Sequence, residues 1–477
     1  MNAIFCNANT LLDVSIIMDL QKRGMEFVFI TATEEIRYIL RRHYGLEVAS
    51  LDEYRMLDLY ARDLLPVYEY GREEYLSILD RYKVLGELTM ATRRRFFNIA
   101  CDYWNSYIDD HNIEFVIFKM VPHLFYDFVI HELCEERGIR KVIIEKTYWE
   151  DVILLQKTFR DTDHLKPDVG LNAVKDVIGR IKVTGLPYWT EAKIANQQRQ
   201  EELYQELSGL SRGIEVLKRL LRPSGTAEYG FYHDRYVPLM KIRRYGRFKQ
   251  LGIRKKIAKN NDKILREYHE SITDFDVVRG GRNIIFFLQC QPEKSTTPLG
   301  GKYWNQLFAL EEILKWMPDG YNLLVKEHPS QFTQWQNLER GRFPGYYNKI
   351  KELGCKLISH KIKNQELFDY SELVMSVSGS IVFEAWVLGY KAAFLGFPWY
   401  GIFDIKRILC QEDLLFLLNG TGESVLYPEK IRAIRTLGFT GYADDLSETK
   451  FIIENNLQSA AVQLSSVINE YAHARIS

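Results

Sequence analysis

Three segments in the second half of the chain carry residue types suited to holding a phosphate. In SVSGSIVFEAWVLG, residues 376–389, an apolar run delivers Ser376, Ser378, Gly379 and Ser380 to the start of an apolar helix. Serine hydroxyls, unpaired backbone N–H groups and the positive end of the helix then converge on one point, which favours an anion there. Glu384 follows one turn after Ser380, where a carboxylate can accept from the two hydroxyls of a ribose. Its neighbours Phe383, Ala385, Trp386 and Val387 suggest an enclosed position. In VKEHPSQF, residues 325–332, the run YNLLV ends in Lys326, Glu327 and His328 and is stopped by Pro329. An imidazole held at such a corner can donate to a phosphate oxygen, and Lys326 adds charge. In QCQPEKSTTPLGGKYW, residues 289–304, the pair Gly300 and Gly301 would let backbone N–H groups come close to a phosphate or sugar. Taken singly, these are also the marks of a serine cap, a His-Pro turn and a plain loop.

A proton acceptor is sought in the first half. KMVPHLFYDFVIHE, residues 119–132, places His123 and Asp127 one turn apart at a strand-to-helix junction, as an oriented base would be. EKTYWED, residues 145–151, is the second candidate segment. Capping and packing are the plainer readings of a lone His and Asp in a first turn. No D-x-D motif falls at a strand end; Asp109-Asp110, Asp161 with Asp163, and Asp444-Asp445 read as loop or helix-flank acids. A metal site is therefore not expected.

The elements that must position these residues alternate in a βα rhythm. AIFC, a helical Leu11 to Arg23, FVFIT, a helical Glu34 to Tyr44, EFVIFKM, a helical Phe125 to Arg137 and KVIIEK build a parallel sheet, with Gly138 as a C-cap. The rhythm returns from residue 283 with NIIFFLQ, YNLLVKE, KLIS, LVMSV and KAAFL, continuous apolar runs of the kind covered by helices on both faces. Ligands of such sheets bind beyond the carboxyl ends of the strands, where all three phosphate-type segments lie. The expected fold is α/β, two Rossmann-like doubly wound domains joined by a helical connector, with a C-terminal helix packing back. The expected ranges are 1–165, 166–275, 276–440 and 441–477. Residues 189–207 and 260–269 carry helical spacing.

At 477 residues the chain has room for two full cores. Its 63 Lys and Arg balance 63 Asp and Glu, so no overall field favours a nucleic acid. The basic segment KIRRYGRFKQLGIRKK, residues 241–256, is a solvated helix face or a contact for an anionic membrane surface or acceptor. Six scattered cysteines without a CxxC pair suit a reducing compartment, and the N-terminus lacks a basic start, so a cytoplasmic location is expected.

QPEKSTTPLGG, VKEHP and SVSGSIVFEAWVLGYKAAFLG resemble the C-terminal half of bacterial capsule and surface-polysaccharide biosynthesis proteins, among them capsule Kdo transferases. More distantly, the pairing of a His-Pro motif with a serine motif is similar to bacterial sialyltransferases of GT-B architecture. The likeness covers roughly residues 283–403. It implies a metal-independent glycosyltransferase with no cofactor, whose co-substrate is a nucleotide sugar. His328, Ser378 and Ser380 would then hold the phosphate of a CMP-activated, Kdo-like or other nonulosonic (sialic acid-like) sugar, although residue types do not separate CMP from UDP or CDP. The implied acceptor is a surface glycan or lipid-linked glycan, with 241–256 at the inner membrane. A sugar-nucleotide 2-epimerase and a non-catalytic scaffold of a polysaccharide assembly complex are the alternatives.

Overall fold

A computed structural model describes residues 1–50, 76–78, 90–146, 152–160, 164–165, 247–332, 338–403, 405–420, 439–440 and 457–474. The first lobe runs β1 (Asn2–Ala8), α1 (Leu11–Lys22), β2 (Glu26–Ala32), α2 (Glu34–Tyr44), β3 (Ala49–Ser50), α3 (Met90–Asp110), β4 (Ile113–Phe118), α4 (Asp127–Arg137), β5 (Arg140–Lys146), β6 (Val152–Gln156) and β7 (His164–Leu165). The second continues with α5 (Arg247–Ser271), β8 (Arg282–Phe287), α6 (Gln306–Trp316), β9 (Tyr321–Lys326), α7 (Tyr346–Glu352), β10 (Lys356–Ile358), α8 (Asn364–Asp369), β11 (Leu373–Ser376), α9 (Ser380–Val387), β12 (Ala392–Phe394), β13 (Lys406–Arg407) and α10 (Gln411–Asn419). Two elements then return to the first lobe, β14 (Phe439–Thr440) and α11 (Leu457–His473).

The second sheet has the order β10-β9-β8-β11-β12-β13, parallel throughout, so its strand order reverses between β8 and β11. The first sheet repeats that plan in β3-β2-β1-β4-β5 and then adds antiparallel β6, β7 and β14. Alternate strand residues feed opposite cores: Ile284 and Phe286 join α5, α6 and α7 on one face, and Ile285 and Phe287 join α8 and α9 on the other. Burial on both faces explains the unbroken apolar strands seen in the sequence. The chain is thus α/β with two Rossmann-like lobes of GT-B-like plan.

The C-terminal helix does pack back: α11 lies against α1, and Arg140 donates to Tyr471 O at 3.3 Å. Phe439–Thr440, placed at the end of the 276–440 range by the sequence, instead pairs with β6 of the first sheet. That two-residue strand was illegible because its partner lies almost 300 positions earlier. Of the connector, α5 is described, while residues 166–246, including the helical spacing at 189–207 and the start of the basic segment, lie outside the described residues. Among the described residues no helix is long and apolar enough to cross a membrane.

The lobes meet through the long loop after β8. Leu299 and Phe397 pack into the first-lobe core with Val121, Leu124 and Phe125, and Leu154 packs into the second-lobe core. Lys294 in that loop pairs with the buried Glu145 at the end of β5, Nζ to Oε1 at 2.8 Å.

Candidate functional site: the second switch point

β8 lies between β9 and β11, and its last residue, Phe287, is in register with Lys326 on one side and Ser376 on the other. Two strand spacings, about 10 Å, therefore separate the His-Pro corner from the serine segment, both at carboxyl ends of the same sheet. Both therefore flank the end of β8 on the same edge of the sheet.

His328 sits at this corner half-buried. The Ser330 backbone N–H donates to its Nδ1 at 3.1 Å, so the ring proton resides on Nε2. Burial holds its pKa below the usual imidazole value, which keeps the ring neutral near pH 7. Among the described residues Nε2 has no hydrogen-bond partner, leaving a neutral N–H donor.

Across β8, the α9 N-terminus starts after Gly379, which is extended and supplies no side-chain cap. Ser380 is half-buried, and its hydroxyl has no hydrogen-bond partner among the described residues. Ser376 and Ser378 are arranged differently. Ser376 is fully buried and donates to Phe287 O at 2.8 Å, tying β11 to β8, because strand alternation turns it into the sheet. Ser378 donates to Ser295 O and thereby fastens the loop after β8. The Gln289 amide, oriented to satisfy its neighbours, donates to Ser295 O at 3.0 Å and accepts from the N–H groups of Ser378, at 3.0 Å, and Gly379. A Cβ on Gly379 would stand 2.8 Å from Ser376 Oγ and 2.9 Å from the Gln289 amide group, so this glycine is required by the close fit. Glu384 is buried one turn further on, as its neighbours implied.

Other expected site residues do different work. Lys326 donates to Ile362 O and Asn364 Oδ1, each at 2.6 Å, so its charge braces the turn after β10. Gly300 and Gly301 are needed for the chain's own packing: an added Cβ would meet Thr296 O at 2.3 Å in the first and the Phe397 ring at 2.8 Å in the second.

What fixes the site is a buried network the sequence reading missed. Arg342 grips Glu327 with two parallel bonds, Nε to Oε2 at 2.7 Å and Nη2 to Oε1 at 2.8 Å. The same carboxylate accepts the His328 backbone N–H at 2.7 Å and the Tyr347 hydroxyl at 2.8 Å. Arg342 also donates to Gln289 O at 3.0 Å and Gln291 Oε1 at 2.7 Å. Gln306 and Gln331 complete the ring by bonding the backbone of Gln289 and Gln291. One guanidinium thus couples the His-Pro corner to the loop that fastens Ser378. The alternation of Gln289 and Gln291 around a buried strand end was the available signal; nothing local marked Arg342.

The first lobe has an equivalent switch point between β1 and β4, yet it is filled. At the start of α1, the Asn9 and Thr10 N–H groups both donate to Asp13 Oδ2 at 2.9 Å, and Lys119 pairs with Asp13 Oδ1 at 3.0 Å. A carboxylate already stands where a phosphate would sit. Asp127 is also fully buried: Asn7 donates to its Oδ2 at 2.6 Å and the Leu124 N–H to its Oδ1 at 2.7 Å. It anchors α4 to β1, and Asn7, held at φ 69°, is further tied to Thr31 and Tyr126. The Val121 carbonyl accepts from His123 Nδ1 at 2.8 Å, which makes Nε2 the basic nitrogen. Asp127, the first residue of α4, turns its carboxylate inward to Asn7 and the Leu124 N–H.

No family model matches the chain, and no curated protein sequence does. Among solved structures it is similar to the UDP-GlcNAc 2-epimerase of Methanocaldococcus jannaschii, with 10% identity over 91% of this chain and 99% of that one, at a TM-score of 0.22. It is similar to KpsC of Thermosulfurimonas dismutans, a beta Kdo 2,7 transferase, with 10% identity over 91% and 98% and a TM-score of 0.28. A third is the spinosyn rhamnosyltransferase SpnG complexed with thymidine diphosphate, with 14% identity over 98% and 96% and a TM-score of 0.19.

Proposed function

We propose that the chain is a glycosyltransferase that moves a sugar from a nucleotide donor held by the second lobe to a glycan acceptor at the first. The carrying observation is the asymmetry of the switch points: the first is neutralised by Asp13 with Lys119, while the second presents a neutral His328 Nε2–H and an acid-free helix N-terminus. Loss of a nucleotide from an anomeric carbon builds negative charge on phosphate oxygen. Donors already fixed around that oxygen lower the barrier without reorganising. His328 and the Ser380 hydroxyl are the donors we assign to this role, with buried Glu384 taking the ribose. His123 is the candidate base, its Nε2 lone pair set by the Val121 carbonyl in a loop that packs against the second lobe.

A CMP-activated Kdo-like or nonulosonic acid is the proposed donor, and a bacterial surface glycan the proposed acceptor. This finer reading is supported by the likeness of QPEKSTTPLGG, VKEHP and the serine segment to capsule transferases. The test is a thermal-shift series with CMP, UDP, CDP and GDP. The preferred nucleotide, expected to be CMP, should stabilise the protein by about 2.7 kcal/mol at 100 times its dissociation constant. His328→Ala should weaken that shift. No shift with any nucleotide would defeat the proposal, and release of a rearranged nucleotide sugar without an acceptor would identify an epimerase instead.

A further inference from the structure

Arg407 is the last residue of β13, at the carboxyl edge of the donor-lobe sheet. Its Nε donates to Leu395 O at 3.1 Å, and its guanidinium lies 4.1 Å over the Phe397 ring. Phe397 in turn covers Gly301 and packs into the first-lobe core beside Val121 and Leu124, so Arg407 stands where the two lobes face each other. The neighbouring cations of this edge are compensated: Lys294 pairs with Glu145 at 2.8 Å and Lys302 with Glu312 at 3.7 Å. Among the described residues no carboxylate pairs with Arg407, and its two Nη groups have no acceptor. Burial accordingly pulls its pKa below the usual guanidinium value. Holding a half-buried cation without a counter-charge is unfavourable. The contacts made by Nε and the aromatic face do not use the Nη fork, whose geometry matches a planar carboxylate.

We propose that Arg407 recognises a carboxylate on the sugar of the donor nucleotide. The proposal rests on the donor-lobe reading above and deepens it by naming the residue that selects an acidic sugar. The end of β13 lies two strand spacings, about 10 Å, from the end of β11 that carries the serine segment, a span that a sugar and a long side chain can bridge.

The test measures binding by calorimetry to full-length protein, without acceptor, for CMP, CMP-Kdo, UDP-glucuronic acid and UDP-glucose. The unmodified protein should bind the acidic-sugar nucleotide of its preferred base more tightly than its bare or neutral-sugar counterpart. Arg407→Gln should erase about 10- to 100-fold of that preference, the range of a hydrogen bond to a charged group, while leaving affinity for the bare nucleotide unchanged. Arg407→Lys, which keeps the charge without the fork, should retain a few-fold preference and guards against a variant that fails to fold. Equal weakening of the bare nucleotide, a preference that survives Arg407→Gln, or no acidic-sugar preference in the unmodified protein would each overturn the proposal. Failure to bind any nucleotide would instead remove the donor-lobe reading, and this one with it.

Discussion

Replacing Arg342 by Met should unfold the donor lobe more than any loss of packing volume would suggest. Arg342 makes five hydrogen bonds: two to Glu327 and one each to Gln289 O, Gln291 Oε1 and Gly341 O. Both side chains of the Glu327 pair are fully buried, so the substitution strands a carboxylate that keeps only the Tyr347 hydroxyl and the His328 N–H. Removing one partner of a buried ion pair costs about 3–5 kcal/mol. At roughly 2–4 °C per kcal/mol for a lobe of this size, the melting midpoint should fall by about 10 °C. The double variant Glu327→Gln with Arg342→Met removes the stranded charge and should recover about 2 kcal/mol, since groups in contact are not additive. Scanning calorimetry and urea titration of the three variants measure this. A single-variant loss below about 1 kcal/mol, or a double variant equal to the sum of the singles, would refute the claim that one guanidinium locks the His-Pro corner to the loop after β8.

Further outcomes follow from the same geometry. His360 accepts the Tyr268 hydroxyl on Nδ1 at 2.9 Å, and burial pushes its pKa down to about 4. An unfolded histidine titrates near 6.5, so the unfolded chain binds the extra proton first and stability is lost as pH falls from about 6.5 to about 4. Urea melts should show that slope, and His360→Asn should flatten it; an unchanged slope would contradict this source. Gly379→Ala brings a Cβ within 2.9 Å of the Gln289 amide and should lower nucleotide affinity by calorimetry, with a smaller change in melting midpoint. Lys294→Met strands the buried Glu145 at the lobe junction and should destabilise the protein by about 1–3 kcal/mol, with rescue when Glu145→Gln is added.

Much of this architecture is legible in the residues. Continuous apolar runs announce strands covered on both faces, and Gly138, at φ 65°, ends α4 where its sequence position says a helix should stop. The switch point is implied once VKEHP and SVSGS are read as ends of parallel strands. The roles within it are less visible because they depend on register and on distant partners. Ser376, Ser378 and Ser380 look alike in sequence, yet Ser376 is fully buried against Phe287 O while Ser380 stays half-buried at the start of α9. The tautomer of His328 depends on a backbone N–H two residues later, and its rigidity on Arg342, which only the folded chain brings to Glu327. Gly300 and Gly301 stand where a Cβ would strike Thr296 O and the Phe397 ring, a packing demand that a glycine pair does not reveal in sequence.

The most direct measurement is the structure of the protein crystallised with CMP. The phosphate should lie at the end of β8, with oxygens at hydrogen-bond distance, about 3 Å, from His328 Nε2 and from Ser380. A nucleotide phosphate seated at the first-lobe switch point beside Asp13, or one in the second lobe that leaves His328 Nε2 without contact, would contradict it.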